Sequence, residues 1–335
     1  MNIWIEFVIC AGLILYSGSR LSIYGDLIAE KTGLGKGWIG LVLLATVTSL
    51  PELITSVSAV TINDLPSMAV SGTIGSCIFN MLVIALLDVL SKNRPVSNMV
   101  HDGHLLSAGF GILLLGLVAI DIGFGKYFPV FKDLNSSGPV SFLFILIYLL
   151  AMRLIYEYEK VRLNEVAGEL AESSDISKVG LPMAMFWFGL NSLVIVGAAC
   201  FLPGIGDEIA KQTGCGESFI GSSLIAVTTS LPEITVSFTA ARMGSFDMAV
   251  ANLLGSNLFN VAILAVTDFF YLKGPLLRSI DPVNASTAIC SMMALAIVVI
   301  GLTYRSEKKF LFLAGDAIAI SIVYLIANVI LYLAR

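Results

Sequence analysis

The chain has 335 residues, of which 57% are hydrophobic and only 13% charged. A soluble domain carries about 25% charged residues, so too little polar surface remains here to coat a water-facing globule. A soluble enzyme, a disordered chain and a secreted disulfide scaffold are excluded, and the net charge of −5 implies no basic nucleic-acid surface.

A membrane-crossing helix uses about 20 apolar residues, and the apolar runs predict an all-α integral membrane protein with ten transmembrane helices. The first run, 3–24, follows an N-terminus without the basic region of a cleavable signal, so it is expected to be retained as a helix. The second, 37–60, carries Ala45-Thr46-Val47-Thr48-Ser49-Leu50-Pro51-Glu52, and the third, 66–90, carries Gly75-Ser76-Cys77-Ile78-Phe79-Asn80. Helices at 103–121 and 139–157 follow, the first entered past His101 and His104, which are expected in a solvated loop. The polar stretch 158–181, with Glu159, Lys160, Arg162, Glu165, Glu169, Glu172, Asp175 and Lys178, is expected to be a solvated linker. Beyond it come 182–203, 217–241, 246–271, 283–303 and 310–334. Cys10, Cys77, Cys200 and Cys290 lie inside apolar runs, where a free Cys packs as a small hydrophobe.

Positive charge sets orientation. Arg20, Lys31, Lys36, Lys92, Arg94, Arg153, Lys160, Arg162, Lys178, Arg242, Arg305, Lys308 and Lys309 fall on the side of the first loop. Only Lys126, Lys132, Lys211, Lys273, Arg278 and Arg335 fall on the other. This predicts an inner (plasma) membrane protein with both termini outside and the 158–181 linker in the cytoplasm.

The chain also repeats itself. Residues 25–60 match 206–241 with 18 identities in 36 positions, and 68–80 match 248–260 with 7 in 13. Five predicted helices precede the repeat boundary, and five is odd, so the second copy enters the membrane upside down. The expected organisation is 1–157 as one five-helix repeat, 158–181 as linker and 182–335 as the inverted second repeat. Inverted repeats with broken helices at a midplane site are the plan of secondary transporters.

The repeated segments carry the chemistry. Glu52 and Glu233 sit deep in apolar helices, Glu52 about 22 Å along its own at 1.5 Å per residue, and an acid there costs roughly 2.5–3.5 kcal/mol on insertion scales. Pro51 and Pro232 lack an amide hydrogen, which makes the carbonyls of Ala45, Thr48, Ala226 and Thr229 candidates to be freed. Thr and Ser hydroxyls add oxygens. Such hard ligands suit Ca²⁺, and Na⁺ by the same argument, while the absence of a His or Cys cluster disfavours soft metals. Ser76 and Asn80, like Ser256 and Asn260, are four apart on one helical face, and the preceding Gly lets backbones approach.

The pair T-S-L-P-E and G-S-x-x-F-N, in two copies, resembles the α-repeats of the calcium/cation antiporter superfamily, which includes the sodium/calcium exchangers. The resemblance implies that Glu52 and Glu233 are the principal Ca²⁺ ligands, joined by the carbonyls of Thr48 and Thr229. It implies flanking Na⁺ positions at Ala45, Ser49, Ser76, Asn80, Ala226, Ser230, Ser256 and Asn260. It further implies that the first and sixth helices slide across the other eight. Departures from the pattern are Val47 and Thr228 in place of a Gly, Cys77 in place of an Asn, and amides at both 80 and 260.

The expected function is exchange of Na⁺ for Ca²⁺ by alternating access; the alternative is an H⁺-coupled or other divalent-cation antiporter on the same fold. No cofactor, catalytic residue or obligatory protein partner is expected, only inorganic cations and the bilayer. An intramembrane hydrolase would need a nucleophile and a base of unlike types, whereas both copies repeat the same ligands. Two glutamates balance one Ca²⁺ or two Na⁺; the resemblance favours three Na⁺, whose exchange moves one net charge against about 2.3 kcal/mol per 100 mV. Asp88 and Asp268 are expected in vestibule or cap roles, Asp26 and Asp207 as helix caps, and Asp316 as a packing anchor.

Overall fold

The computed structural model describes residues 3–32, 38–91, 94–127, 139–166, 179–213, 223, 225–307, 309–310 and 312–334. It is all-α apart from one two-residue β-ladder. The helices are α1 (Ile3–Thr32), α2 (Ile39–Thr61), α3 (Pro66–Leu90), α4 (Gly103–Phe124), α5 (Pro139–Val166) and α6 (Leu181–Thr213). They continue with α7 (Ala226–Thr229 and Leu231–Arg242), α8 (Phe246–Phe270), α9 (Val283–Tyr304) and α10 (Gly315–Leu333). Among the described residues, nine are long and apolar enough to cross a membrane. A helix satisfies its own backbone hydrogen bonds, as lipid requires.

Burial grades from centre to rim. The span of α8 is 89% buried and that of α3 78%, against 22% in α5 and 28% in α6 and α10. The rim helices turn Leu146, Leu149, Phe186, Leu193, Leu325 and Val329 outward, an apolar surface suited to acyl chains and too large for water. α3 and α8 pack on each other at the centre, flanked by α2 and α7, while α1 lies along α6 on one side.

Several boundaries differ from expectation for visible reasons. α1 continues through Gly25 to Thr32, since that glycine stays helical and brings α1 against Leu44, whose side chain would lie 3.1 Å from an added Cβ. Asp26 is therefore no cap: it lies within α1 and accepts the Ser245 hydroxyl at 3.2 Å. α6 likewise runs past position 207 to Thr213. α10 starts at Gly315, not 310, because β1 (Lys309–Phe310) pairs antiparallel with β2 (Leu313–Ala314) ahead of it. Most of 217–225, and 167–178 of the expected linker, lie outside the described residues. Glu159 is not solvated; it sits 7% exposed on α5 against the start of α4, where a Cβ on Gly103 would meet its Oε1 at 3.2 Å. His104 is also buried, 3% exposed, with Nε2 3.0 Å from Asp247 Oδ1 on α8. That same oxygen accepts the His101 N–H at 2.9 Å.

Asp88 and Asp268 act as staples at matching ends of α3 and α8. Asp88 accepts the Val96 N–H at 2.6 Å and the Ala314 N–H at 2.7 Å. Asp268 accepts the Leu276 N–H at 2.6 Å and the Ser141 hydroxyl at 2.6 Å. Lys309 joins the first staple by donating to the carbonyls of Asp88 and Ser91 at 2.5 Å; burial pulls its ammonium below the usual lysine range, against the pull of Asp88 and Asp316. Stranding two buried N–H groups costs about 1–3 kcal/mol each. Asp88→Ala is thus expected to lower the thermal midpoint of the detergent-solubilised protein by several degrees. An unaltered thermal midpoint would remove Asp88 from that structural role.

Candidate cation site

Both T-S-L-P-E segments break their helix, and they break it at serine. Ser49 has φ −90°, ψ 4° and Ser230 φ −83°, ψ 6°, each off the helical basin one residue after a threonine and two before a proline. In α2 the break follows a π-helical stretch, Ile39–Leu44, a geometry common at functional sites. The Ala45 and Ala226 carbonyls are not freed, contrary to expectation. Ser49 N–H donates to Ala45 O at 3.1 Å and Ser230 N–H to Ala226 O at 3.0 Å. The Thr48 and Thr229 hydroxyls turn back onto the carbonyls of Leu44 (3.0 Å) and Ile225 (3.1 Å), and each also faces the other motif's glutamate, Thr48 toward Glu233 and Thr229 toward Glu52.

The two carboxylates come together through an exchange of serines. Ser49, on the first motif, donates to Glu233 Oε1 at 2.9 Å; Ser230, on the second, donates to Glu52 Oε1 at 3.2 Å. Each glutamate is also approached by the serine of its adjacent helix, Ser76 to Glu52 Oε1 at 3.4 Å and Ser256 to Glu233 Oε1 at 3.3 Å. All twelve residues singled out from the sequence (Ala45, Thr48, Ser49, Glu52, Ser76, Asn80 and their counterparts) are at most 2% exposed. The motif serines and glutamates are directly linked; Asn80 and Asn260 lie one helical turn beyond Ser76 and Ser256.

What the cage leaves unsatisfied defines its chemistry. Oε2 of both glutamates, Oδ1 of Asn80 and both amide atoms of Asn260 are buried without a hydrogen-bond partner. Leaving such groups unpaired costs at least about 1–3 kcal/mol each, more when charged, and native proteins rarely tolerate it. Two carboxylate oxygens and neighbouring amide oxygens, with hydroxyls already committed, form an oxygen donor set fit for a hard cation. Among the described residues there is no cluster of His, Cys, Asp and Glu suited to a softer metal; Cys10, Cys77 and Cys290 are free and buried.

Close backbone contact holds the cage shut. A Cβ on Gly255 would lie 2.3 Å from Leu41 O and 2.9 Å from Ala45 Cβ, and one on Gly40 2.5 Å from Met248 O. α8 therefore rests directly on the π-helical stretch of α2, as the small residue in the motif implied.

Two residues of the site were missed from the sequence. Asn257 accepts from Asn80 Nδ2 at 3.0 Å and donates to Cys77 O at 3.0 Å. Asn252 receives the Thr48 hydroxyl on Oδ1 at 3.4 Å and donates to Ser237 at 3.1 Å. Both stand where the two copies differ, opposite Cys77 and Gly72, so mismatches within the repeat were the available signal.

A buried paired-carboxylate cage between packed apolar helices is the mark of a membrane transporter for cations. Comparison with known proteins agrees: residues 2–156 and 183–333 match the profile described as "Sodium/calcium exchanger protein", and the chain belongs to that family. It is 27% identical over 300 residues to inner membrane protein YrbG of Escherichia coli, covering 89% of this chain and 87% of that one. It is 26% identical over 269 residues to sodium/calcium exchanger MaX1 of Methanosarcina acetivorans, with 73% and 76% covered. Its fold resembles the sodium-calcium exchanger NCX_Mj, soaked with Na⁺ and Ca²⁺, at a TM-score of 0.71 and 21% identity, covering 98% of both chains. The protein is a transporter, not an enzyme.

Proposed function

We propose that this protein exchanges Na⁺ for Ca²⁺ across the membrane by alternating access. Two inverted five-helix repeats, 1–157 and 182–335, would hold the ions between them, with the linker cytoplasmic and both termini outside. The observation that carries this is the crossed clasp: each motif serine is hydrogen-bonded to the other motif's glutamate, and each glutamate keeps one buried oxygen without a protein partner. One Ca²⁺, or two Na⁺, neutralises the pair and offsets the cost of holding two ionised carboxylates in a low-dielectric interior. Glu52 and Glu233 would be the principal ligands, with the Thr48 and Thr229 carbonyls, and with Ala45, Ser49, Ser76, Asn80 and their counterparts serving Na⁺. The length of α1 and α6, which pack along each other at the rim, suits them to slide as a pair over a fixed centre.

Uptake of ⁴⁵Ca²⁺ into proteoliposomes tests the coupling. Uptake driven by an outward Na⁺ gradient and enhanced by a membrane potential is the expected result; uptake that follows a pH gradient and ignores Na⁺ would replace it with the H⁺-coupled alternative. The orientation has its own test: alkaline phosphatase fused after Arg335 should be active and green fluorescent protein at the same place dark. The reverse pattern would invert the topology.

A further inference from the structure

The Asn80 amide has a direction, and the direction can be traced to an atom that has no choice. The main-chain carbonyl of Cys77 can only accept a hydrogen bond. Asn257 therefore turns its Nδ2 to that carbonyl, at 3.0 Å. Its other atom, Oδ1, is left facing Asn80, and an acceptor there obliges Asn80 to present Nδ2, which it does at 3.0 Å. Asn80 Oδ1 is then the atom left over, buried and without a partner, one helical turn from Ser76, which donates to Glu52.

The second copy lacks this sequence of constraints. The position matching Asn257 is Cys77, whose only polar atom lies 4.0 Å from the Asn257 carbonyl and which has no amide oxygen to offer Asn260. The Cys77 thiol is what faces Asn260, and a thiol is only a weak hydrogen-bonding group; both amide atoms of Asn260, at 1% exposure, lack a well-formed hydrogen bond.

We infer that Asn257 is a positioning residue that aims the Asn80 carbonyl oxygen at the transported cation, and that Cys77, with only a weak thiol to offer, holds the matching Asn260 less firmly, so that the two halves of the site bind ions unequally. The inference rests on the cation-cage reading of the preceding section. Outer residues that orient a ligand typically change metal affinity or activity by 10–100-fold when altered.

The test is a swap. In Asn257→Cys the half-saturating Ca²⁺ concentration for ⁴⁵Ca²⁺ uptake should rise by about tenfold or more with a smaller change in maximal rate. Adding Cys77→Asn to that variant transfers the relay to Asn260 and should bring half-saturation back to within about threefold of the starting protein. Cys77→Asn alone, which replaces only the weak thiol contact to Asn260 and leaves the Asn80–Asn257 pair in place, should lower half-saturation, and it carries the test if Asn257→Cys does not fold. Unchanged half-saturation in either single variant, or a loss in Asn257→Cys that the second substitution does not restore, overturns the inference. Equilibrium ⁴⁵Ca²⁺ binding separates the two levels: if Glu52→Gln abolishes binding while Asn257→Cys leaves it intact, the cage stands and the relay falls. If the starting protein binds no Ca²⁺, the cage falls and takes the relay with it.

Discussion

Glu52→Gln and Glu233→Gln should each abolish Na⁺-dependent ⁴⁵Ca²⁺ uptake while leaving folded, extractable protein. Gln keeps the shape and one carbonyl oxygen but removes a formal charge, so a bound Ca²⁺ would carry an uncompensated positive charge in a site at most 2% exposed. Breaking a buried charge pair by removing one partner costs about 3–5 kcal/mol, which is a loss of roughly 10²–10⁴ in affinity. The sign of the stability change is the sharper check. Without ions the two carboxylates crowd one crossing, and each leaves Oε2 without a hydrogen-bond partner; neutralising one relieves that crowding. The variants should therefore be at least as heat-stable as the parent in chelator, and should lack the rise in thermal midpoint that bound Ca²⁺ is expected to give the parent by mass action. A variant that still shows the Ca²⁺-dependent rise would remove that glutamate from the site.

Gly255→Val should be nearly as damaging through packing alone. Its Cβ would sit 2.3 Å from the Leu41 carbonyl oxygen and 2.9 Å from Leu41 Cα, and a helix backbone cannot swing aside as a side chain can. α8 must back away from α2, at the 1–3 kcal/mol or more typical of overpacking. The displacement falls on Ser256 and Ala45, which flank the glutamates. A misplacement of about 1 Å at a site that depends on geometry can cost about 10²-fold in rate, so uptake should fall by that order with a lower thermal midpoint. Gly109→Ala is the control, since nothing lies within 4 Å of an added Cβ there, and it should behave as the parent. Normal transport by Gly255→Val would mean that the α2–α8 contact does not set the cage.

The amino-acid sequence by itself determined that most of the chain is apolar helix, that the chain is duplicated, and that Glu52 and Glu233 are buried, because each of these depends on residues adjacent in the chain, whereas the burial of Glu159 does not. Hydropathy over some 20 residues decides insertion, and a glutamate repeated inside an apolar run announces itself without reference to any neighbour in space. The matching staples of Asp88 and Asp268 were half legible: their position near helix ends pointed to caps, but not to the loops they hold eight residues on. Only the tertiary structure decided the partners. Proline marked where a helix could break, yet the break falls at Ser49 and Ser230, since a turned-back threonine hydroxyl and a main-chain bond to Ala45 or Ala226 close the preceding turn. Nor could spacing tell that Ser49 serves the glutamate 184 positions away rather than its own, or that buried His104 meets Asp247 across 143 residues. Such contacts are set by how closely whole helices approach, which at α2 and α8 depends on two glycines meeting carbonyl oxygens, and local patterns carry no record of that distance.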